Sequence, residues 1–339
     1  MNNQPRDLVL KAIQHQETDF CPYVIWVKDA NLKARLAEHY QVRDIFEDVI
    51  CNHIEFCGHI KAAVTPLADG SYRDEFGTIL DIGSIPHVIQ PALSQPSLAG
   101  YTFPHLATGA HFARVPGYIQ QFPDRFRIVQ LLELFFERAW NMRGMQEFMI
   151  DIASEPVFAE SLLDRLLEIM LDCIDKTVQN CGDAVDAIGW TDDYGGQTNL
   201  MISPRSWRKL FKPRLAILSD RIRQSGKSVF FHSCGNIEAI LPDLIEIGVD
   251  ILNPIQPESM DIFKLKREYG KDICFFGGLG TQHTLIHGTP QEVRTEVITC
   301  MQEMRKGGGF VIAPAKEIMS NVPIENAIAL IDSLRLQYV

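Results

Sequence analysis

SVFFHSCGNIEAILPDLIEIGVDILNP, residues 228–254, holds one complete strand–helix–strand cycle. Its opening run, residues 228–231, is short and mostly apolar, as a strand buried on both faces requires. The run ends in His232-Ser233-Cys234-Gly235. Helix-like sequence follows over residues 236–247 and stops at Gly248, a residue suited to closing a helix. A second apolar run, residues 249–252, then reaches Asn253-Pro254.

The same cycle extends in both directions. Upstream, residues 184–190 (AVDAIGW) form an apolar run that leads into Asp192-Asp193. Ser203-Pro204 reads as a helix N-cap with proline in the first turn, and helical spacing continues toward Arg223. Downstream, runs at residues 273–276 and 310–312 reach Gly277-Gly278 and Ala313-Pro314, with amphipathic segments at 290–306 and 323–336. Alternating βα units imply a parallel sheet with right-handed crossovers. Five strands at this spacing favour closure over an open sheet. The expected fold is therefore α/β, a (β/α)₈ TIM barrel spanning residues 1–339 as one domain.

The first half is less regular. Residues 21–26 suit a first strand and residues 126–132 a third. Between them, residues 62–117 are rich in Gly, Pro and Ser without clear periodicity, which predicts an insertion over one barrel mouth, a lid or substrate loop. Cys51, His53, Cys57 and His59 fall in a segment that reads as helical and half apolar, so core packing is expected of them.

Composition narrows the partners. The formal net charge of −11 argues against nucleic acid and against an anionic membrane surface. No stretch reaches the roughly 18 apolar residues a membrane span needs, and the first 20 residues lack a signal-peptide pattern. Eight cysteines without a small-domain framework point to a reducing cytoplasm.

In an α/β barrel, active sites are built at the C-terminal ends of the strands. That rule collects Asp192, Asp193, His232, Cys234, Asn253, Gln256, Gly277, Gly278, Lys316 and Glu317 on one rim. It also removes Lys306-Gly307-Gly308-Gly309, which resembles a phosphate cradle but precedes a strand. His232 and Cys234 are the sharpest pair. Strand side chains alternate with period two, so residues two apart point the same way and can reach one ion. Imidazole and thiolate suit zinc and not magnesium or calcium. The competing reading is a buried structural cysteine beside a hydrogen-bonded histidine. Asp192 and Asp193 could serve as general base, ligand or orienting partner, or simply cap a helix. Trp26, ending the first strand, suits either ligand stacking or the core. His283 and His287 read as loop and helix-start residues.

Several blocks resemble the uroporphyrinogen decarboxylase superfamily. Asp192-Asp193-Tyr194-Gly195-Gly196-Gln197 with Ile202-Ser203-Pro204 is similar to its D-D-x-G-x-Q…I-S-P block, and residues 231–236 (FHSCGN) to its H-x-C-G element. Residues 277–282 (GGLGTQ), 288–293 (GTPQEV) and 322–326 (VPIEN) resemble later blocks, and residues 6–22 the usual start. The arginine-rich R-Q-A-G-R element of the metal-free decarboxylases is missing. The resemblance is therefore strongest to methylcobamide:coenzyme M methyltransferases, in which a zinc ion held by the H-x-C pair and a later cysteine activates a thiol for methyl transfer with a corrinoid.

That resemblance implies His232 and Cys234 as the first two ligands of zinc or a similar transition metal. Lys316 occupies the position of the later cysteine, so the third ligand is expected from Glu317, Asp193, Cys274 or the substrate, with Glu317 taken first. Asp192 and Asp193 are the expected catalytic residues. Trp26, Asn253, Gln256, Gln282 and Lys316 are the expected substrate contacts. The implied partners are a small-molecule methyl donor or acceptor and a corrinoid protein, and a homodimer fits the same picture. Two other readings compete: metal-free decarboxylation of a porphyrinogen, and a non-catalytic binding barrel.

Overall fold

The computed structural model describes residues 4–81, 87–106 and 109–338. Seven parallel strands run in the order β1 (Ile54–Ile60), β6 (Phe126–Leu131), β7 (Ala187–Thr191), β8 (Ser228–His232), β9 (Ile251–Ile255), β10 (Cys274–Leu279) and β11 (Phe310–Pro314). The eighth stave is residues 22–28, an extended segment with only isolated bridges, Tyr23 to Ile312 and Val27 to Ile318. Backbone bonds from Val24 to Ile312 (3.0 Å) and from Ile318 to Trp26 (2.7 Å) tie it to β11. On its other side the Asn52 side chain stands in for a ladder, accepting from the Ile25 N–H at 2.8 Å and donating to the Ile25 carbonyl at 3.0 Å. An eight-stave α/β barrel results, as the βα repeat predicts. Among the described residues no helix is long and apolar enough to cross a membrane.

Period-two alternation sorts each strand into a lumen face and a helix-facing one. Val24, Ile54, Phe126, Ile128, Ala187, Phe230, Ile251, Cys274, Phe276, Val311 and Ala313 form one buried cluster inside the barrel. Helix Pro5–Ile13 plugs its lower end with Val9 and Ala12, and Arg6 pins that helix to Asp186 at 2.7 Å. Residues 306–309 lie at the same end: the Gly309 N–H donates to Ala12 (2.8 Å), and a Cβ on Gly308 would sit 2.5 Å from the backbone of His15 and Gln16. The glycine run is thus a turn beneath the barrel, on the rim opposite the chemistry.

Two sequence expectations need correction. The segment carrying Cys57 and His59 is not helical but is β1 itself. A register shift between Phe56 and Gly58 breaks the alternation, so buried Ile54, Cys57 and Gly58 mimic the i, i+3, i+4 spacing of a helix. The expected loop at residues 62–117 contains a four-stranded antiparallel sheet, β2 (Val64–Pro66), β3 (Tyr72–Asp74), β4 (Ile79–Leu80) and β5 (Val88–Gln90). Such short strands carry too few residues for a periodic signal. One buried ion pair anchors this sheet: Arg138 donates to Asp74 at 2.6 Å, each side chain 3% exposed, and stacks over Phe76 at 4.3 Å.

Candidate metal centre at the barrel mouth

His232 is the last residue of β8 and follows Phe230 on the lumen face, so its ring projects into the mouth. Cys234, two residues on, brings its Sγ to 3.6 Å from His232 Nε2. Asp193, after β7, brings Oδ1 to 3.9 Å from the same nitrogen. The three ligand atoms lie within 4.8 Å of one another, and among the described residues theirs is the one group of three or more such side chains. Donors ~2.0–2.3 Å from a tetrahedral zinc ion stand about 3.4–3.6 Å apart, so the histidine–cysteine pair already has the right span. One nitrogen, one sulfur and one oxygen donor suit zinc or a neighbouring transition metal.

The loops that carry these side chains interlock through backbone. Gly235 has φ +78°, and a Cβ there would lie 2.3 Å from the Gly195 carbonyl oxygen. Asn236 donates to the Gly196 carbonyl at 2.8 Å, and Asp193 Oδ1 accepts the Cys234 N–H at 2.7 Å. Glycine at 195 and 235 is what lets the two loops touch, and their contact sets the Asp193–Cys234 separation.

Asp192 does a different job from its neighbour. It is fully buried, and its carboxylate accepts the N–H groups of Phe135 (3.1 Å), Phe136 (3.0 Å) and Glu137 (2.9 Å) together with the Tyr194 hydroxyl. It therefore caps helix Phe136–Arg143. Four donors thus occupy the oxygens of Asp192, one of the two expected catalytic residues. Burial pushes its pKa up to about 6 against the pull of those hydrogen bonds.

By capping that helix, Asp192 places Glu137 at the mouth, a residue the sequence reading did not single out. Glu137 stands in no motif, only in the run FFERAW. Burial raises its pKa well above the usual carboxyl range, reinforced by the charges of Asp193, Asp192 and Glu133. The Cys234 thiol is pushed up to about 12, first by burial and then by Asp193 and Glu137, with Lys316 acting in the opposite sense. The mouth thus concentrates negative charge around a thiol. A divalent cation there would reverse that balance and favour the thiolate.

The remaining expected residues divide. Glu317, expected as the third ligand, pairs instead with Lys28 at 3.4 Å, both side chains exposed; Asp193 is the carboxylate in the cluster. Cys274 opens β10 and lies fully buried inside the barrel, outside the cluster. Lys316 is exposed, and its charge reaches Cys234. Trp26 sits half-buried against Phe56 (5.2 Å between centroids) and Phe276 (6.1 Å), an aromatic wall of the lumen. Asn253 and Gln256 are occupied by the protein itself: Asn253 Oδ1 lies 2.7 Å from His232 Nδ1, and Gln256 Oε1 accepts the Gly235 N–H at 2.5 Å. Gln282 is exposed on the rim, its backbone N–H bound to Glu258 at 2.7 Å. Surface concavities of about 660, 590 and 520 Å³ lie elsewhere and are lined by none of the cluster residues.

Comparison with known proteins agrees with this architecture. Over 131 residues the chain is 26% identical to the methylcobamide:CoM methyltransferase MtaA of Methanosarcina barkeri, covering 39% of this chain and 36% of the relative. It is 24% identical over 189 residues to the uroporphyrinogen decarboxylase of Pseudoalteromonas translucida (strain TAC 125), covering 53% of this chain and 49% of that one. The matches thus span between about a third and a half of these curated relatives. A solved methyltransferase from Methanosarcina mazei superposes with a TM-score of 0.73 at 19% identity over 99% of both chains, which establishes a shared fold. The family model described as Uroporphyrinogen decarboxylase (URO-D) matches residues 134–336, a span that includes Asp193, His232 and Cys234. On that match, over more than half its length, the chain belongs to the uroporphyrinogen decarboxylase family.

Proposed function

We propose that this protein is a zinc-dependent methyltransferase that moves a methyl group between a corrinoid, carried on a partner protein, and a thiol or methylated small molecule. The observation that carries the reading is the convergence of Asp193, His232 and Cys234 at the barrel mouth. Zinc, when bound, supplies a Lewis acid that keeps a coordinated thiol deprotonated at neutral pH. The chain's own residues do the rest. His232 Nε2, Cys234 Sγ and a carboxylate oxygen of Asp193 hold the ion. Glu137, kept neutral by burial and by its acidic neighbours, stores a proton beside the reacting atoms. Lys316 attracts a negatively charged end of the substrate. Trp26 and Phe56 wall the lumen with aromatic surface and limit water.

Metal-free decarboxylation of a polycarboxylate fits the mouth less well. Asp193 places a negative charge beside His232 and Cys234, where such a substrate's carboxylates would have to enter. Metal analysis of the purified protein tests the proposal, with His232→Ala, Cys234→Ala and Asp193→Ala alongside. Stoichiometric zinc lost in all three variants supports it; a wild-type protein that retains no transition metal overturns it. Incubation with methylcobalamin and a panel of thiols, followed by the corrinoid absorption spectrum, then reads the transfer itself.

A further inference from the structure

Asn253 touches His232 through a contact whose donor and acceptor the structure determines. Asn253 Nδ2 donates to the main-chain carbonyl of Phe276 at 3.3 Å. A carbonyl oxygen only accepts, so the NH₂ end of the amide must face β10. The other end, Oδ1, therefore faces His232 Nδ1 at 2.7 Å. An amide oxygen likewise only accepts, so Nδ1 must carry the hydrogen. A neutral imidazole has a single N–H, and Nε2 is left as a bare lone pair. That lone pair is the one that faces Cys234 Sγ at 3.6 Å and Asp193 Oδ1 at 3.9 Å.

The backbone explains why the Phe276 carbonyl is available. Pro254 has no N–H to offer a ladder, and the register between β9 and β10 shifts beside it, between Phe275 and Gly277. Asn253 is 7% exposed and lies inside β9, two residues after Ile251 on the lumen face. Its amide is thus held at both ends by rigid strands, with little freedom to rotate.

We propose that Asn253 is a positioning residue that fixes the Nδ1-protonated tautomer of His232 and aims Nε2 at the shared ligand point. Its value as a metal-site device rests on the zinc reading above, whereas the tautomer itself is a property of the metal-free protein. Asn253, expected among the substrate contacts, gives both its polar ends to the protein.

The test begins with metal-free, ¹⁵N-histidine-labelled protein at pH 8. Nitrogen shifts should show His232 protonated at Nδ1 in the wild type. A mixture of tautomers, or the Nε2-protonated form, is expected in Asn253→Ala, with unchanged circular dichroism. Asn253→Asp keeps an acceptor at Nδ1 and should restore the wild-type tautomer, which a merely space-filling role would not require. Zinc affinity by chelator competition should fall about 10–100-fold in Asn253→Ala and recover in Asn253→Asp. An Nε2-protonated His232 in wild type, or an Asn253→Ala variant with unaltered tautomer, overturns the proposal. A wild type with the Nδ1 tautomer but no zinc affinity would instead count against the metal reading alone.

Discussion

The Asp193 carboxylate accepts the backbone N–H of Cys234 at 2.7 Å while the same oxygen stands 3.9 Å from His232 Nε2. One side chain therefore fixes the path of the cysteine loop and supplies a donor to the cluster. It also raises the cost of a thiolate at Cys234, second only to burial. Metal-free and metal-bound protein should respond to its loss in opposite ways.

In metal-free protein, Asp193→Asn removes a negative charge beside the thiol, so the Cys234 pKa should fall from about 12 and alkylation at pH 8 should accelerate, by about tenfold per pKa unit. In the same variant zinc retention should weaken. Timed iodoacetamide labelling with mass spectrometry reads the first effect, and chelator competition the second. Slower labelling would refute the electrostatic account.

Asp192 should leave its mark on stability. Its folded pKa is raised to about 6 from 3.8, so between about pH 4 and pH 6 the unfolded chain releases a proton that the folded chain keeps. This group's contribution is therefore greatest below pH 4 and is lost as pH rises through 6, by on the order of 2–3 kcal/mol. Asp192→Asn keeps one acceptor oxygen but cannot ionise, so its urea midpoints at pH 4.5 and 7 should differ less than those of wild type. Equal pH slopes for the two proteins would contradict the burial argument.

Lys316→Cys should add a second sulfur donor beside His232 and Cys234 if the mouth holds a metal as proposed. With cobalt(II) in place of zinc, the variant should show a stronger sulfur-to-metal charge-transfer band and slower metal loss to chelator. An unchanged spectrum would mean that residue 316 cannot reach the ion.

Arg138→Met strands Asp74 as an uncompensated buried charge and should cost about 3–5 kcal/mol. Because Arg138 joins the small sheet to the helix that Asp192 caps, proteolysis should first appear within residues 64–90. Wild-type melting and cleavage would show the sheet to be held by other contacts.

Much of the barrel was legible in residues 184–314 because parallel strands buried on both faces read as short apolar runs, and Ser203 marks the start of a helix between them. His232 and Cys234 were legible because period two fixes the direction of neighbouring strand residues. β1 was not, since its bulge at Cys57 imitates helical spacing, and neither were the two- and three-residue strands of the inserted sheet.

Roles, unlike positions, depended on what lies across the barrel. Asp192 and Asp193 are adjacent and chemically identical, yet one is consumed by helix N–H groups from residues 135–137 and the other opens into the mouth. Glu137 owes its raised pKa first to burial in the folded barrel and then to Asp193 and Asp192, more than 50 positions away. The sequence by itself determined the alternation of strand and helix, the rim on which chemistry gathers and the histidine–cysteine pair, because these follow from local periodicity. Only the tertiary structure decided that Asp193, not Glu317, completes the cluster and that Asn253 serves the histidine. Hydrogen bonding and Coulomb forces act on distance in space, and chain closure into a barrel is what sets those distances.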